Sequence, residues 1–306
     1  MIKESLRGKK IAITGSTGFL GTALVELLLR EIDDIQLRLL IRPSGKRSAS
    51  KRLERDILRN DAFDQLREAL GAEGFNELAS NAVKALSADI SLDNLGLDDT
   101  GLRELSECDI VIHSAAAVSF DEPLDRAAEV NLMGPIRLVE TLQSLDVEPH
   151  LVMVSTCYVA GNRKGTAHEK PLSQSPFYVP LNWREETEAA RRTRSYTEDD
   201  SRRSENLEKF RAEAKSELGA PGISVIATKT AQIRERWVKD KMVEAGRERA
   251  TSLGFPDAYA FTKAMAEQAV QEVRGDIPLS IVRPSIIESS WGEPKSGWIR
   301  GFRMAE

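Results

Sequence analysis

The chain has 306 residues, of which 41% are hydrophobic and 30% charged, and its net charge is −5. This length fits one large domain or two small ones, and the charge gives no reason to expect a nucleic-acid partner. Two cysteines cannot build a disulfide framework, and three histidines without ligand-like spacing predict no metal site. A polar N-terminus and the lack of an apolar run of ~18 residues predict a cytoplasmic protein without a signal peptide or transmembrane helix.

A strand, a glycine turn and a helix are predicted at the start of the chain. The apolar run Ile11–Thr14 is followed by Gly15, Gly18 and Gly21 in a G-x-x-G-x-x-G pattern. Leucines at three- and four-residue steps then indicate a helix. Glycines allow the tight turn and the close approach of a pyrophosphate, which the helix N-terminus attracts. The pattern therefore favours dinucleotide binding over a purely structural turn.

The second predicted strand, residues 35–41, ends in a basic turn that begins with Arg42. Binders of NAD carry an acidic residue at about this distance from the glycines, whereas an arginine accommodates the 2′-phosphate of NADP. No acidic residue lies between Gln36 and Arg47. We therefore expect NADPH as the cofactor, with a solvated basic turn as the alternative.

Further short strands are predicted at residues 81–86, 109–113, 150–155 and 279–282, with helical segments between them. Alternation of strands and helices predicts an α/β fold with a doubly wound, Rossmann-like parallel sheet in the order 3-2-1-4-5-6. Cys108 and Cys157 lie in apolar, strand-like surroundings and are expected to be buried core thiols. His113, at a strand end, is expected to be a core histidine.

A long charged segment separates the fifth strand from a tyrosine and a lysine. Residues 163–255 are too many for a loop and predict a helical insertion, with inward-facing side chains at Leu207, Phe210, Leu218, Ile233 and Trp237 and an apolar break at 223–227. Tyr259 and Lys263 are four residues apart and would share one helix face. A lysine beside a tyrosine favours the phenolate and lowers the pKa of the phenol, which suits a proton donor.

Five segments of the sequence resemble the extended short-chain dehydrogenase/reductase superfamily and, within it, the bacterial fatty acyl-CoA reductases of the male-sterility type. They are Gly15–Gly21, His113–Ser119, Val154–Gly161, Tyr259–Glu267 and Arg283–Ile287. The long insertion and the Trp291–Trp298 segment add to the resemblance, which covers essentially the whole chain. Because no closing element follows Trp291, we expect the chain to be a truncated part of a longer protein.

The resemblance implies roles for individual residues. Thr156, Tyr259 and Lys263 are the expected catalytic residues, with Ser155 as the neighbour that could be confused with Thr156. Asp89 is expected to receive the adenine amine, although it could equally be a turn cap. Asn131 is expected to stabilise its helix and an active-site water. The expected cofactor contacts are Gly15, Thr17, Gly18, Phe19, Leu20, Gly21, Arg42, Asp89, Ile90, Ala115, Ala116, Val118, Asn131, Ser155, Lys263, Pro284, Ser285 and Ile286.

The implied activity is NADPH-dependent reduction of a long-chain fatty acyl-CoA thioester to the aldehyde, the alcohol or both. The alternatives are a carboxylic acid reductase-like domain acting on a carrier-bound thioester, another extended reductase such as an epimerase or hydroxysteroid dehydrogenase, and a cofactor sensor. Because CoA is anionic, a basic entrance is expected, and its candidate residues are Arg191, Arg192, Arg194, Arg202 and Arg203. The alternative is that these arginines belong to solvated helix faces.

Three parts are expected along the chain. Residues 1–162 would form the NADP-binding part, 163–255 a helical subdomain, and 256–306 the tyrosine helix, the last strand and the start of a substrate-binding region. Peripheral membrane contact is possible for such an enzyme, and the sequence leaves the oligomeric state open.

Overall fold

A parallel six-stranded sheet in the order β3-β2-β1-β4-β5-β6 is the frame of the computed structural model, which describes residues 2–218 and 223–301. The strands are β1 (Lys10–Thr14), β2 (Gln36–Ile41), β3 (Val83–Ser87), β4 (Ile110–His113), β5 (His150–Val154) and β6 (Leu279–Val282). The order reverses between β1 and β4, as in a Rossmann-like fold. The predicted fold class and strand order are therefore confirmed.

The helices between these strands vary greatly in length. The α-helices are α1 (Ile2–Leu6), α2 (Phe19–Glu31), α3 (Ala49–Arg52), α4 (Asp64–Ala82), α5 (Asp99–Ser106), α6 (Leu124–Ala127), α7 (Gly134–Ser144), α8 (Trp183–Ser201), α9 (Ser204–Leu218), α10 (Ile223–Ser252) and α11 (Ala258–Val273). π-Helical turns extend α3 at Leu53–Leu58 and α6 at Ala128–Met133. Short 3₁₀ turns lie at Asp61–Phe63, Asp93–Gly96, Cys157–Ala160 and Leu172–Gln174.

The chain divides into two units. The first contains the chain up to Ala116, the segment Met133–Cys157 and the chain from Ala269 onward, and it therefore contains the whole sheet. The second contains Ala117–Leu132 and Tyr158–Gln268. The three-part division expected from the sequence stays a prediction.

The core of the first unit explains why apolar residues predominate in its central strands. Ile11 and Ile13 of β1 and Leu37 and Leu39 of β2 are buried, and they belong to one cluster with side chains of α2 and α4. Strands of a parallel sheet are covered on both faces, so they need apolar side chains in both directions. Phe63 and Phe75 close this cluster with an edge-to-face contact of 6.0 Å between ring centroids.

Helices of the insertion form most of the second unit. Phe210 and Ala214 of α9 pack on Ile233 and Trp237 of α10, with 5.7 Å between the Phe210 and Trp237 ring centroids. The expectation of a helical insertion is met, but two of its details are wrong. Residues 223–227 begin α10 and do not break it, because the helix penalty of β-branched residues is small.

The second error concerns the buried stripe of α9. Leu207 and Leu218 are exposed, whereas Phe210 and Ala214 between them are buried. The buried residues of this helix therefore lie in its middle.

Cys157 also differs from expectation, since it is exposed. Cys108 is buried as expected, and burial raises the pKa of its thiol to about 12.

The glycine turn after β1 is built on two very close backbone approaches. Gly15 has a φ of +74°, and a Cβ there would lie 2.6 Å from the backbone nitrogen of Ala115. A Cβ on Gly21 would overlap the carbonyl oxygen of Gly15 and lie 2.7 Å from the Cα of Ser16. Both neighbours are backbone, which cannot move aside as a flexible side chain can.

Replacing Gly21 with alanine should therefore destabilise the first unit. We expect a loss of about 1–3 kcal/mol or more in the free energy of unfolding, the usual scale for overpacking a tight site. Urea unfolding followed by circular dichroism measures it. Gly292→Ala is the control, because a Cβ at Gly292 meets nothing within 4 Å, and its change should stay within about 0.5 kcal/mol. Equal midpoints for the two variants would contradict the close approach at Gly21.

Candidate functional site

The first turn of α2 presents backbone donors without a side-chain cap. Its N-cap is Gly18, which makes no side-chain capping bond, and the turn is closed by a hydrogen bond from Gly18 N to Gly15 O (2.9 Å). The buried Oγ of Ser16 has no hydrogen-bond partner within the described part of the chain. A helix N-terminus with an unused hydroxyl beside it fits an anionic group such as a pyrophosphate.

Small residues after β4 allow the chain to pass close to this turn. The hydroxyl of Thr14 accepts from the backbone N–H groups of Ser114 (3.2 Å) and Ala115 (3.1 Å). His113 is buried, and its Nδ1 lies 3.0 Å from Thr14 Oγ1. This histidine is a core residue, as expected, and Ala115 and Ala116 lie next to the glycine turn.

The basic turn after β2 projects from the sheet. Arg42 is exposed, and its carbonyl oxygen accepts from Arg52 Nη1 (2.6 Å). Beside it lies a cavity of about 500 Å³ whose lining includes the cations Lys46, Arg47 and Lys84. The hydroxyls of Ser48, Ser50, Ser87 and Thr100 also line it. Asp98 lines the cavity as well, so three cations outnumber the one carboxylate among its lining residues.

Asp89 acts as a turn cap at the end of the third strand. Its Oδ1 accepts from both the backbone N–H (2.9 Å) and the hydroxyl (2.7 Å) of Ser91. The next residue, Ile90, packs against Gly134, where an added Cβ would lie 2.9 Å from Ile90 Cδ1. The cap that the sequence left as an alternative is thus present, and adenine recognition by Asp89 stays a prediction.

The segment after β5 is fixed to the segment after β6. Ser155 N donates to Val282 O (2.7 Å), and Cys157 N donates to Pro284 O (2.9 Å). Thr156, between them, is buried. The Oγ of Ser155 is also buried and lacks a hydrogen-bond partner among the described residues. Ser285 and Ile286 follow and are exposed.

Two contacts at the glycine turn were missed by the sequence analysis. The ring of Trp298 stacks on Phe19, with 4.9 Å between centroids and 17° between planes, and Trp298 is only 3% exposed. Arg300 Nη1 donates to Thr22 Oγ1 (2.8 Å). The second tryptophan of the Trp291–Trp298 segment was the available signal, but nothing in its spacing to Phe19 indicates the contact.

Tyr259 and Lys263 lie one helical turn apart on α11, in the second unit. Asp257 begins this helix by accepting from Ala260 N (2.8 Å), and burial raises the pKa of its carboxyl. Lys263 is 2% exposed. Burial lowers the pKa of its ammonium to about 8, and the charge of Glu267 opposes part of this effect. The low-dielectric surroundings disfavour the charged form of the side chain, which is why the pKa is lowered.

Asn131 connects the start of the second unit to the tyrosine helix. Its Oδ1 accepts from Ala117 N (2.8 Å), and its Nδ2 donates to Ala117 O (3.0 Å) and Thr262 Oγ1 (3.2 Å). It lies in the π-helical turn Ala128–Met133, a form that often marks functional sites. Because both ends of the amide have protein partners, Asn131 sets the course of the chain at Ala117.

An aromatic side chain lies against the tyrosine ring. Phe120 meets Tyr259 edge to face, with 6.2 Å between centroids and 80° between planes. Phe120 and Val118 are both exposed. Val118 was expected at the site from the sequence but Phe120 was not, because a lone aromatic residue in a loop carries no periodic signal.

The predicted site residues are thus distributed over both units. The glycine turn, Arg42, Asp89, Ile90, Ala115, Ala116, Ser155, Thr156, Pro284, Ser285 and Ile286 lie in the first, whereas Val118, Asn131, Tyr259 and Lys263 lie in the second. In the first unit, these residues follow the carboxyl ends of the six parallel strands. It groups the tyrosine and the lysine with Asn131 and Phe120 in the second.

Comparison with known proteins identifies the family. The family model described as "Male sterility protein", a nicotinamide dinucleotide-binding family, matches residues 13–306. The chain belongs to this family. It is therefore an NAD(P)-binding domain of the male-sterility family, which agrees with the sequence-based resemblance.

Curated relatives of this male-sterility domain are fatty acyl-CoA reductases by name. The chloroplastic fatty acyl-CoA reductase 2 of Arabidopsis thaliana is 34% identical over 303 residues, covering 98% of this chain and 45% of that protein. The alcohol-forming fatty acyl-CoA reductase of Simmondsia chinensis is 33% identical over 311 residues, covering 100% of this chain and 57% of that protein. The chain thus spans about half the length of these relatives.

Among solved structures, the terminal R domain of the myxalamid PKS-NRPS pathway shares the fold. The superposition has a TM-score of 0.54 at 20% sequence identity and covers 92% of this chain and 50% of the R domain chain. Within the described part of the male-sterility domain, no helix is long and apolar enough to cross a bilayer. Residues 2–218 and 223–301 also contain no group of three or more His, Cys, Asp or Glu side chains that could hold a metal ion.

The lowered pKa of Lys263 predicts how the stability of the protein depends on pH. Its pKa is about 8 in the folded chain and near 10.5 in the unfolded chain, so the unfolded state binds more protons between these values. Stability should therefore rise with pH in this window, by about 2 kcal/mol between pH 8 and pH 10.

Urea unfolding of the wild type and of Lys263→Met at several pH values isolates this effect. As the pH rises from 8 to 10, the free energy of unfolding of the wild type should increase relative to that of the variant. Parallel pH curves for the two proteins would show that the folded-state pKa of Lys263 is not lowered.

Proposed function

We propose that this male-sterility domain is the catalytic part of an NADPH-dependent reductase that acts on long-chain fatty acyl-CoA thioesters and yields the aldehyde, the alcohol or both. The observation that carries the proposal is the pair of Tyr259 and Lys263 on one face of α11, with the lysine buried beside it. The names of the curated relatives supply the substrate class. Because those relatives are longer, the activity is proposed for the full-length protein.

The residues of the glycine turn fit the cofactor. The uncapped first turn of α2, formed by Phe19, Leu20 and Gly21 after Gly18, would donate backbone hydrogen bonds to the pyrophosphate. The unused hydroxyls of Ser16 and Ser155 are buried polar atoms that such a ligand would satisfy. Asp89 and Ile90 would flank the adenine, and Ala115, Ala116 and the Pro284–Ile286 segment would border the rest.

The basic turn supports NADPH as the cofactor over NADH. Arg42 is exposed at the end of β2, where the 2′-substituent of the ribose would lie. A guanidinium can bind a phosphate through two parallel N–H donors. The neighbouring Lys46 and Arg47 add positive charge to the same turn.

The cofactor, when bound, supplies the hydride. Reduction of the thioester carbonyl places negative charge on its oxygen, and Thr156 would stabilise this charge by donating a hydrogen bond. Tyr259 would then donate the proton, and the positive charge of Lys263 would favour the phenolate that remains. Collapse of the resulting hemithioacetal would release CoA as a thiol and leave the aldehyde. That Thr156 and Tyr259 act on the same carbonyl is part of the proposal.

Removing the proposed proton donor should abolish most of the activity. Tyr259→Phe keeps the ring but lacks the hydroxyl, so kcat for NADPH oxidation with a long-chain acyl-CoA should fall about 10²–10⁴-fold. The Kd for NADPH should stay close to that of the wild type. Tyr196→Phe, at an exposed tyrosine of α8, is the matched control and should leave kcat unchanged. A Tyr259→Phe enzyme that retains more than roughly a third of kcat, far above this range, would refute the assignment.

Replacing Arg42 should change cofactor preference. Losing hydrogen bonds to a charged phosphate costs about 1.5–3 kcal/mol, so Arg42→Ala should bind NADPH roughly 10–100-fold more weakly and NADH almost unchanged. Fluorescence titration with each cofactor measures both constants. Arg55→Ala, at another exposed arginine of the first unit, controls for the loss of a positive charge. Equal weakening for NADPH and NADH would show that Arg42 does not contact the 2′-phosphate.

A further inference from the structure

The insertion holds one short segment of the second unit through arginine–carboxylate pairs. This segment, Ala117–Leu132, carries both Phe120 and Asn131, and we name it the Phe120 segment. Through Phe120 it touches the ring of Tyr259, and through Asn131 it bonds to Thr262 of the same helix. Its position therefore bears directly on the surroundings of Tyr259.

Two arginines of α8 bind this segment with good geometry. Arg194 uses Nε and Nη2 to bond the two carboxylate oxygens of Asp125 at 2.8 and 3.1 Å. Arg191 places Nε and Nη2 at 3.1 and 2.6 Å from Glu129 Oε1. The two arginines are three residues apart and their partners are four apart, so each set lies on one helix face. The two faces are thus complementary in charge and spacing.

Helix α10 contacts the same region at two further points. Arg247 Nη2 donates to Asp121 Oδ1 (2.9 Å). One residue earlier, Gly246 packs so closely that an added Cβ would lie 3.2 Å from the Cβ atoms of both Leu124 and Ala258. Ala258 is the first residue of α11 and Leu124 lies in the Phe120 segment. Helix α10 therefore contacts both the Phe120 segment and the helix that carries Tyr259.

These pairs differ from the ordinary charged surface of the insertion. Arg236 pairs with Glu213 and Lys209 with Glu205, but both of these pairs join residues within the insertion. Exposed pairs of that kind contribute little to stability. The Arg194–Asp125 pair is bidentate and only partly exposed, which makes it the best defined of the contacts to the Phe120 segment.

We propose that Arg194, assisted by Arg191, is a positioning residue for Tyr259: the two arginines hold the Phe120 segment so that Phe120 packs against the tyrosine ring. This assigns a role to the insertion, namely to fix the proton donor. The inference rests on the proposed reductase function, in which Tyr259 donates a proton. Neither arginine is proposed to touch the substrate or the cofactor.

The test measures kcat, the KM for a long-chain acyl-CoA and the Kd for NADPH in the full-length protein. Arg194→Ala should lower kcat about 10-fold or more, because small displacements of a reacting group are costly in rate. The Kd for NADPH should change much less than kcat, since the glycine turn and most of the other expected cofactor contacts belong to the other unit and only Val118, Asn131 and Lys263 belong to this one. Arg236→Ala, at a pair within the insertion, is the matched control and should behave as the wild type.

A charge swap separates positioning from general destabilisation. The double variant Arg194→Asp with Asp125→Arg restores an ion pair of reversed polarity and should recover most of the lost kcat, whereas Asp125→Arg alone should not. If Arg194→Ala keeps more than half of kcat, or if kcat and NADPH affinity fall together and the swap recovers neither, the inference is wrong. A wild-type protein that does not oxidise NADPH with any acyl-CoA would instead refute the proposed function.

Discussion

The near-contact between Gly15 and the chain that leaves β4 is the constraint on which the first unit depends. At this point the order of the sheet reverses, and the backbones of Gly15 and Ala115 approach within a distance that excludes any side chain on the glycine. Thr14 stabilises the approach by accepting from Ser114 and Ala115.

The sequence predicted this part of the molecule well because its signals are local. A glycine at a positive φ, a strand of continuous apolar residues and a helix of 3.6-residue period each reflect the backbone of a few neighbouring residues. The pairing of Tyr259 with Lys263 is equally local, since a spacing of four defines a helix face. The sheet order followed once strands and helices alternated, since connections of this type have one hand.

Contacts between distant residues were beyond the sequence. The Phe120–Tyr259 and Phe19–Trp298 ring contacts join residues 139 and 279 positions apart, and no pattern of spacing encodes them. The exposure of Leu207, Leu218 and Cys157 was missed for a related reason, because burial depends on what covers a side chain and not on the side chain alone. The pairing of Arg191 with Glu129 and of Arg194 with Asp125 was missed as well, because each pair joins residues more than 60 positions apart.

Trp298 lies on the outside of the first turn of α2, and Arg300 bonds to the hydroxyl of Thr22 in the same turn. Glycine-rich turns are intrinsically mobile, because glycine loses more conformational entropy on ordering than other residues do. A turn that packs against a buried aromatic ring loses its conformational entropy when the chain folds. For the cofactor binding that we propose at this turn, less conformational entropy would then remain to be lost, and preorganisation of this kind increases affinity without any new contact to the ligand. The last described residues of the chain thereby stabilise a turn that lies near its beginning.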